Sequence, residues 1–283
     1  MQENSYRLTK EEIKMYVVYL QEQERANNTI QKYTHDLLVL WAYLADRPLS
    51  KTILVSWKQH LSEMYAPASV NSMLAAVNNF LNYKGWGVLK INPLKIQKIL
   101  FCDEKRELTQ KEYYRLVKTA QQEGNERLSL VLQTICATGI RVSELQFITA
   151  EAIHIGRVEV NNKRKRRIIF LPKKLCLLLE RYLRKDRRNS GTIFVTKKGK
   201  PLDRSNIWRE MKHLCERAKV EPGKVFPHNL RHLFARAYYA QEKDLTRLAD
   251  ILGHTNINTT RIYMVESGLV HAKQIEKMGL VIT

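Results

Sequence analysis

The chain reads Ala-Thr-Gly-Ile-Arg-Val-Ser-Glu-Leu at residues 137–145, Phe-Pro-His-Asn-Leu-Arg-His at 226–232 and Leu-Gly-His-Thr-Asn-Ile-Asn-Thr-Thr-Arg-Ile-Tyr at 252–263. In the first stretch a helix is expected to end at the glycine, and the next to begin at Arg141. In the second, His228 and Arg231 are three residues apart, which places them on one face of a helix. In the third, a helix is expected to end at the glycine and expose His254, with Tyr263 on a short following helix.

Several common catalytic and nucleotide-binding motifs are absent from the sequence. It has no GxxxxGK[ST] nucleotide-binding loop, no HExxH motif, no GxSxG turn and no pair of aspartates at metal-binding spacing. Most phosphate chemistry uses a bound metal to neutralise developing charge. Because the sequence has none of these motifs, we expect no metal and no cofactor. Cationic side chains and hydrogen-bond donors would then have to neutralise the developing charge.

The composition is typical of a globular, helix-rich protein. Of 283 residues, 44% are hydrophobic and 27% charged, which excludes a disordered or collagen-like chain. Only 11 Gly and 7 Pro are present, which favours helices over a many-turned β sandwich or barrel. The four cysteines lie far apart with no CxxC pair, a spacing that fits neither a zinc site nor a disulfide framework. The longest apolar run, residues 37–45, is far short of the ~20 residues of a membrane helix, and the first residues contain no apolar signal region.

The first third of the chain predicts four short amphipathic helices. Thr9 and Glu12 have the spacing of a capping box, in which each residue satisfies a backbone amide of the other. Further helices are expected to begin near Asn28, near Ser50 and after Pro67. Together they predict a small N-terminal helical bundle.

The remainder predicts a linker and a second domain. Residues 87–107 contain Gly, Pro and spaced lysines, which is typical of an interdomain linker. A second capping box, Thr109 to Glu112, opens the next domain, and helices are expected near 126–138, 141–148, 173–188 and 205–219. Residues 157–171 predict a β-hairpin around a polar turn, with residues 192–195 as a candidate further strand. The expected fold class is mainly α with a small β component (α+β).

The positive charge of the chain is concentrated in one block. There are 48 Lys and Arg against 28 Asp and Glu, a net charge of +20. Residues 157–200 hold sixteen Lys and Arg and three acids, so this block alone contributes 16 − 3 = +13. A solvated surface usually mixes both signs, so a block of one sign favours phosphate contacts. The predicted partner is a nucleic acid.

In order and spacing, Arg141, the His228–Arg231 pair, His254 and Tyr263 resemble the motifs of the tyrosine recombinase/integrase family. The resemblance covers residues 108–265, and the N-terminal bundle is similar to the core-binding domain of that family. It implies four regions: a core-binding domain at 1–86, a linker at 87–107, a catalytic domain at 108–265, and a tail at 266–283 that protomers exchange.

The resemblance also implies a role for each motif residue. Tyr263 would attack a DNA phosphodiester and form a 3′-phosphotyrosine with a free 5′-hydroxyl. Arg141 and Arg231 would bind the non-bridging oxygens, because guanidinium forks match phosphate and stay charged at any working pH. His228 would transfer the proton of the tyrosine, and His254 would donate a hydrogen bond to a phosphate oxygen.

Two further groups follow from the same resemblance. Glu144 matches the acidic position that orients neighbouring catalytic groups. A hairpin lysine would protonate the leaving 5′-oxygen; Lys163 is our choice, with Lys165 as the alternative, because this turn lacks the usual glycine. The DNA contacts expected on the hairpin and linker are Arg164, Arg166, Arg167, Lys95 and Lys98.

The predicted function is site-specific recombination of double-stranded DNA without metal or ATP. The resemblance implies four protomers on two sites, with an accessory DNA-bending protein as a possible further partner, in the nucleoid region of a bacterial cytoplasm. Few residues precede Thr9, so we expect a Xer-like, invertase-like or small mobile-element recombinase without an extra arm-binding domain. Two alternatives stay open: a topoisomerase-like nicking and closing enzyme, and a catalytically idle DNA-binding protein of the same fold.

Overall fold

Helices make up most of residues 6–96, 106–162, 165–261 and 276–278, which a computed structural model describes. The chain forms two units, residues 1–98 and 99–283. The prediction of a mainly helical chain with a small β component is confirmed. Among the described helices, none combines the length and the apolar character that crossing a bilayer requires.

The N-terminal unit is built on four helices close to the predicted positions. These are α1 (Lys10–Glu22), α2 (Asn27–Leu44), α3 (Lys51–Met64) and α4 (Pro67–Tyr83). Its core contains the fully buried side chains of Tyr16, Trp57 and Phe80. The capping box predicted for α1 forms in one direction: Thr9 Oγ1 accepts from the Glu12 amide, whereas the Glu12 carboxylate binds Lys84 at 2.9 Å.

The beginning of the predicted linker is fastened to this unit. Asn78 on α4 pairs with both backbone groups of Ile91, donating to its carbonyl at 2.7 Å and accepting from its amide at 2.9 Å. Asn71, seven residues earlier on the same helix, pairs with Leu94 in the same way at 2.9 and 2.7 Å. Each asparagine side chain donates to the carbonyl and accepts from the amide of one residue, as the backbone of a neighbouring strand would. The side chain of Ile91 is buried. Residues 89–94 therefore belong to the N-terminal unit, and residues 97–105 lie outside the described part.

The second unit surrounds a central helix, α6. Its described helices are α5 (Gln110–Gln122), α6 (Glu126–Thr138), α7 (Ala150–Ile155), α8 (Lys173–Lys185), α9 (Arg204–Arg217), α10 (Pro227–Glu242), α11 (Leu245–Leu252) and α12 (Ile257–Arg261). Helix α6 contacts α5, α8, α9 and α10. The capping box predicted at Thr109 and Glu112 is confirmed, with hydrogen bonds in both directions. The helix predicted at 141–148 is a shorter 3-10 segment, Val142–Phe147.

The predicted hairpin is present as β1 (Arg157–Asn162) and β2 (Lys165–Phe170), which pair antiparallel with Val160 opposite Arg167. Side chains alternate between its two faces. Val160 and Ile169 pack into the core, whereas Ile168 and Phe170 are exposed.

The prediction of a strand at 192–195 is wrong for a definable reason. Arg188 donates to the carbonyls of Thr192 and Ile193 at 3.1 and 2.9 Å, taking the acceptors that a neighbouring strand would use. Only isolated bridges remain within this described segment, at Thr192 and Val195.

We expect Asn78→Ala to lower the free energy of unfolding by about 1–3 kcal/mol, because it leaves both backbone groups of residue 91 unpaired in a half-buried place. Urea unfolding followed by tryptophan fluorescence measures the change. Asn82→Ala, at an exposed position on the same helix, is the matched control. Equal effects of the two substitutions would show that the asparagine pairing does not stabilise the unit.

Candidate functional site

The last turn of α11 holds three arginines together. The final carbonyls of a helix have no partner within it and lie at the negative end of its dipole. Here the carbonyls of residues 251, 252 and 253 accept from Arg167 Nη1 at 2.7 Å, Arg231 Nη2 at 2.6 Å and Arg141 Nη2 at 3.1 Å, respectively. We call residues 251–253 the carbonyl turn, and these three arginines the arginine cluster. Three side chains from distant parts of the sequence thus meet at one helix end.

Glu144 provides the carboxylate of the cluster and is almost fully buried. One carboxylate oxygen accepts from Arg141 Nη1 at 3.0 Å, and the other accepts from the Arg141 amide at 2.9 Å and pairs with Arg167 Nη2. Burial raises the pKa of Glu144, but the amide hydrogen bond and the charges of Arg167 and Arg141 outweigh it and hold the pKa below its usual value. Glu144 is therefore ionised at neutral pH and fixes two guanidiniums at once.

Arg231 is placed by the packing of α10 on α6. It is 3% exposed, and its Nη1 donates to the carbonyl of Gly139 at the end of α6. Gly139 has φ +62°, and a Cβ there would lie 2.5 Å from the ring of Phe234. Only glycine therefore allows α6 to end so close to α10. The helix ends predicted at Gly139 and Gly253 are both confirmed.

His254 lies directly after the carbonyl turn. Its Nε2 is 3.2 Å from Arg231 Nη2, and its Nδ1 is 2.8 Å from Oγ1 of Thr260, which is fully buried. Since a guanidinium only donates, Nε2 is the acceptor here, and we assign the proton to Nδ1. Desolvation and the charges of Arg231, Arg141 and Arg167 lower the pKa of His254 to about 4. The ring is neutral at pH 7.

His228 is at the start of α10, one turn before Arg231, and is open to solvent. Desolvation of part of the ring and the charges of Arg231, Arg204 and Arg141 lower its pKa. A neutral imidazole at this place can accept a proton. His232, whose ring centre is 4.6 Å from that of His228, has its pKa lowered to about 4 by desolvation and by electrostatic interaction with His228 and Arg231.

The hairpin residues divide between its two faces. Arg166 is exposed, as a DNA contact requires. Arg167, also predicted as a DNA contact, is turned inward: its side chain is 12% exposed and its guanidinium is engaged by Glu144 and the carbonyl turn. The structure thus corrects this assignment, because the packed face of β2 includes residue 167. The backbone of Lys165 begins β2.

Several predicted residues lie elsewhere. Lys95 is exposed in the N-terminal unit. Four predicted site residues lie outside the described residues: Tyr263, Lys163, Arg164 and Lys98. The structure thus brings together Arg141, Glu144, Arg231, His228 and His254.

The cluster is suited to an anion. Three guanidiniums and one carboxylate give a net charge of 3 − 1 = +2, and Arg141, 33% exposed, is the most accessible of the three arginines. Guanidinium forks bind phosphate oxygens bidentately and do not titrate in the physiological range. The geometry therefore supports charge stabilisation of a phosphate by fixed side chains.

Three features of the site escape the motif-based prediction: the inward position of Arg167, the partner Thr260 and the carbonyl turn. The inward position of Arg167 has a sequence signal, because it is two residues before the apolar Ile169 in a strand of period two. Thr260, the partner of His254, has no such signal, since a threonine six residues beyond a histidine is common in any loop. The carbonyl turn is likewise invisible in the sequence, because its groups belong to the backbone.

We expect the unfolding temperature to fall as the pH is lowered from 6.5 to 4.5. His232 and His254 take up protons near 6.5 in the unfolded chain but only near 4 in the folded one, so the unfolded state binds more protons in this window and stability decreases. His232→Gln removes one of these groups and should make the decrease smaller. Thermal unfolding across this range measures it, with His60→Gln, an exposed histidine on α3, as the control for losing an imidazole. A steeper fall of the unfolding temperature with decreasing pH in His232→Gln than in the wild type would contradict this explanation.

Comparison with known families gives two matches. A model of the phage integrase family matches residues 106–267. A model of the phage integrase N-terminal SAM-like domain matches residues 13–86. The two matches fall in the second and the N-terminal unit, respectively.

Relatives and solved structures point the same way. The chain is 30% identical to tyrosine recombinase XerD of Halalkalibacterium halodurans, covering 87% of this chain and 90% of the relative. It is 27% identical to tyrosine recombinase XerA of Pyrococcus horikoshii, covering 95% and 93%. A lambda integrase (75–356) dimer bound to a COC′ core site has the same fold, with a TM-score of 0.76 at 17% identity over 92% of this chain and 96% of that one. Since the family model spans more than half of the sequence and the motif order agrees with it, the chain belongs to the phage integrase family of tyrosine recombinases.

Proposed function

We propose that the chain is a site-specific recombinase that cuts and rejoins DNA strands through a phosphotyrosine formed at Tyr263. The observation that carries this proposal is the arginine cluster on the carbonyl turn, with Glu144 buried between two of its members. It places fixed positive charge beside two histidines of lowered pKa. The relatives of similar length are named tyrosine recombinases, which supports the same reaction.

The cleavage step follows from the chemistry of the residues. The Tyr263 oxygen attacks phosphorus and loses its proton, a tyrosyl–phosphate bond forms, and the bond from phosphorus to the 5′-oxygen breaks. The free pKa of a tyrosine is about 10, so only ~0.1% is ionised at neutral pH and a base is needed. His228 takes this proton, because its lowered pKa keeps the ring neutral. The energy of the broken bond is kept in the phosphotyrosine, and the reverse attack by a 5′-hydroxyl rejoins the strand.

Arg141 and Arg231 stabilise the negative charge that grows on the non-bridging oxygens during this step. Arg141 is partly exposed, and its guanidinium is oriented by Glu144. Arg231 is buried and contributes its Nη2 to the site. His254 adds a contact to a phosphate oxygen; the proton we place on Nδ1 would move to Nε2 when phosphate replaces the Arg231 contact. Glu144 orients Arg141 and touches no substrate in this proposal.

The leaving 5′-oxygen needs a proton, which we assign to Lys163, with Lys165 as the alternative. Arg164, Arg166, Lys95 and Lys98 are proposed contacts to the DNA backbone. The block of +13 at residues 157–200 supports this for Arg164 and Arg166, since phosphate contacts provide a large share of the affinity of such complexes.

The proposed partner is double-stranded DNA that carries a recombination site, in the nucleoid region of a bacterial cytoplasm. We propose four protomers on two sites during strand exchange, with residues 266–283 exchanged between them and an accessory DNA-bending protein as a further partner. A lambda integrase tetramer bound to a Holliday junction, with a TM-score of 0.74 to this chain, supports a tetramer in this fold. The proposed regions are a core-binding domain at 1–86, a linker at 87–107 whose residues 89–94 are docked on the N-terminal unit, and a catalytic domain at 108–265.

Trapping the covalent intermediate tests this function. Wild type and Tyr263→Phe are incubated with DNA from the genomic neighbourhood of the gene, and protein–DNA species that resist SDS are isolated. We expect an adduct in the wild type, attached to Tyr263 by peptide mass mapping, and none in Tyr263→Phe.

Tyr33→Phe, which removes a hydroxyl from the N-terminal unit, is the matched control and should form the adduct like the wild type. An adduct on another residue would refute the nucleophile. Tight binding without any adduct, on intact and on nicked sites, would favour a catalytically idle DNA-binding protein instead.

A further inference from the structure

We propose that Arg167 is a positioning residue that holds the β1–β2 hairpin where its lysine can protonate the leaving oxygen. This inference rests on the proposed function and adds a residue to it. Arg167 does not touch the substrate in this proposal. It acts through the hairpin lysine.

The contacts of Arg167 connect three separate parts of the second unit. Its backbone is in β2, opposite Val160 of β1. Its Nη1 donates to the Ile251 carbonyl at 2.7 Å, and its Nη2 pairs with the carboxylate of Glu144. Glu144 in turn binds Arg141. One guanidinium therefore ties the hairpin both to the carbonyl turn and to the residue that orients a catalytic arginine.

The path of this side chain depends on Gly253. The residue has φ +63°, and a Cβ built on it would lie 2.7 Å from Cδ of Arg167 and 3.2 Å from its Nε. A side chain at 253 would therefore occupy the space of the arginine. The glycine of the Leu-Gly-His stretch ends α11 and also leaves room for the side chain that anchors the hairpin.

A hairpin of this kind needs such an anchor. Two-stranded sheets are only marginally stable by themselves, and within the described residues this sheet has two strands with one face on the core. Both lysines are on the turn side of Arg167 in the sequence: Lys165 is two residues before it and Lys163 is four residues before it. Arg167 thus fastens β2 beside the arginine cluster at a point two residues after Lys165.

Arg166 provides the contrast that makes the role of Arg167 testable. Both are arginines on the same strand, but Arg166 is exposed whereas Arg167 is 12% exposed and bound within the protein. Removing either one lowers the net charge by the same amount. A loss of general electrostatic attraction to DNA should therefore be common to both, and a loss of hairpin positioning should be confined to Arg167.

The test measures single-turnover cleavage of two DNA substrates, one with the normal 5′-oxygen at the cleaved bond and one with sulfur in its place. A thiol has a pKa of about 8.5, far below that of an alcohol, so a departing thiolate needs no proton from the protein. Lys163→Ala and Lys165→Ala are reference variants, because the one that lacks the proton donor should be slow on oxygen and recover on sulfur.

We expect Arg167→Gln to slow cleavage of the oxygen substrate by about 100-fold, the lower end of the contribution of acid catalysis. On the sulfur substrate the deficit should shrink to less than about tenfold, as for the lysine variant. Arg166→Gln should weaken DNA binding while its ratio of sulfur to oxygen rates stays that of the wild type.

Equal deficits of Arg167→Gln on both substrates would overturn the inference, since the residue would then act on the arginines or on the fold alone. Normal oxygen cleavage would overturn it as well. Arg167→Lys serves if Arg167→Gln does not fold, because its single ammonium keeps a charge beside Glu144 without reaching the Ile251 carbonyl at the same time; the same recovery on sulfur is expected. A wild type that forms no adduct on the oxygen substrate would instead refute the proposed function, and this inference with it.

Discussion

The second unit depends on one constraint: three guanidiniums must lie side by side at the end of α11. Like charges at such short range repel each other strongly when they are shielded from water. The carbonyl turn offsets this repulsion with one acceptor for each arginine, at the negative end of a helix dipole. The buried carboxylate of Glu144 neutralises one of the three charges. The result is a site with a net charge of +2 in which each arginine has an acceptor within the protein.

This constraint brings together residues that are far apart in the sequence. Arg141 follows α6, Arg167 comes from the hairpin and Arg231 from α10, and each ends on the same three-residue turn. Gly139 and Gly253, both with positive φ, let these segments approach closely, since a Cβ at either position would collide with a neighbouring side chain. Contacts within the protein thus hold the arginines in place, which is what stabilisation of a transition state by fixed charges requires.

The resemblance of the motifs to a known family predicted Arg141, Arg231 and His254 as site residues, and the glycine caps before Arg141 and His254 were readable from the sequence. It could not predict the acceptors, which are backbone carbonyls. The inward position of Arg167 was missed because the run of basic residues was assigned as a whole to DNA, although the apolar Ile169 two residues later indicates the packed face of the strand. In the fold, the four-helix bundle was predictable from its apolar spacing, but the docking of residues 89–94 and the loss of a strand at 192–195 depend on the individual side chains of Asn71, Asn78 and Arg188.

The most direct measurement of whether the cluster stabilises charge on phosphate compares two substrates cleaved by the wild type and by Arg141→Ala. One carries the normal phosphate at the cleaved bond, and the other a methylphosphonate, in which a methyl group replaces one charged oxygen. On phosphate we expect Arg141→Ala to be slower by about 10²–10³-fold with DNA binding largely unchanged. On methylphosphonate the deficit should nearly disappear, because there is less charge to stabilise. An equal deficit on both substrates, or a loss of binding in step with cleavage, would contradict a role of the cluster in charge stabilisation.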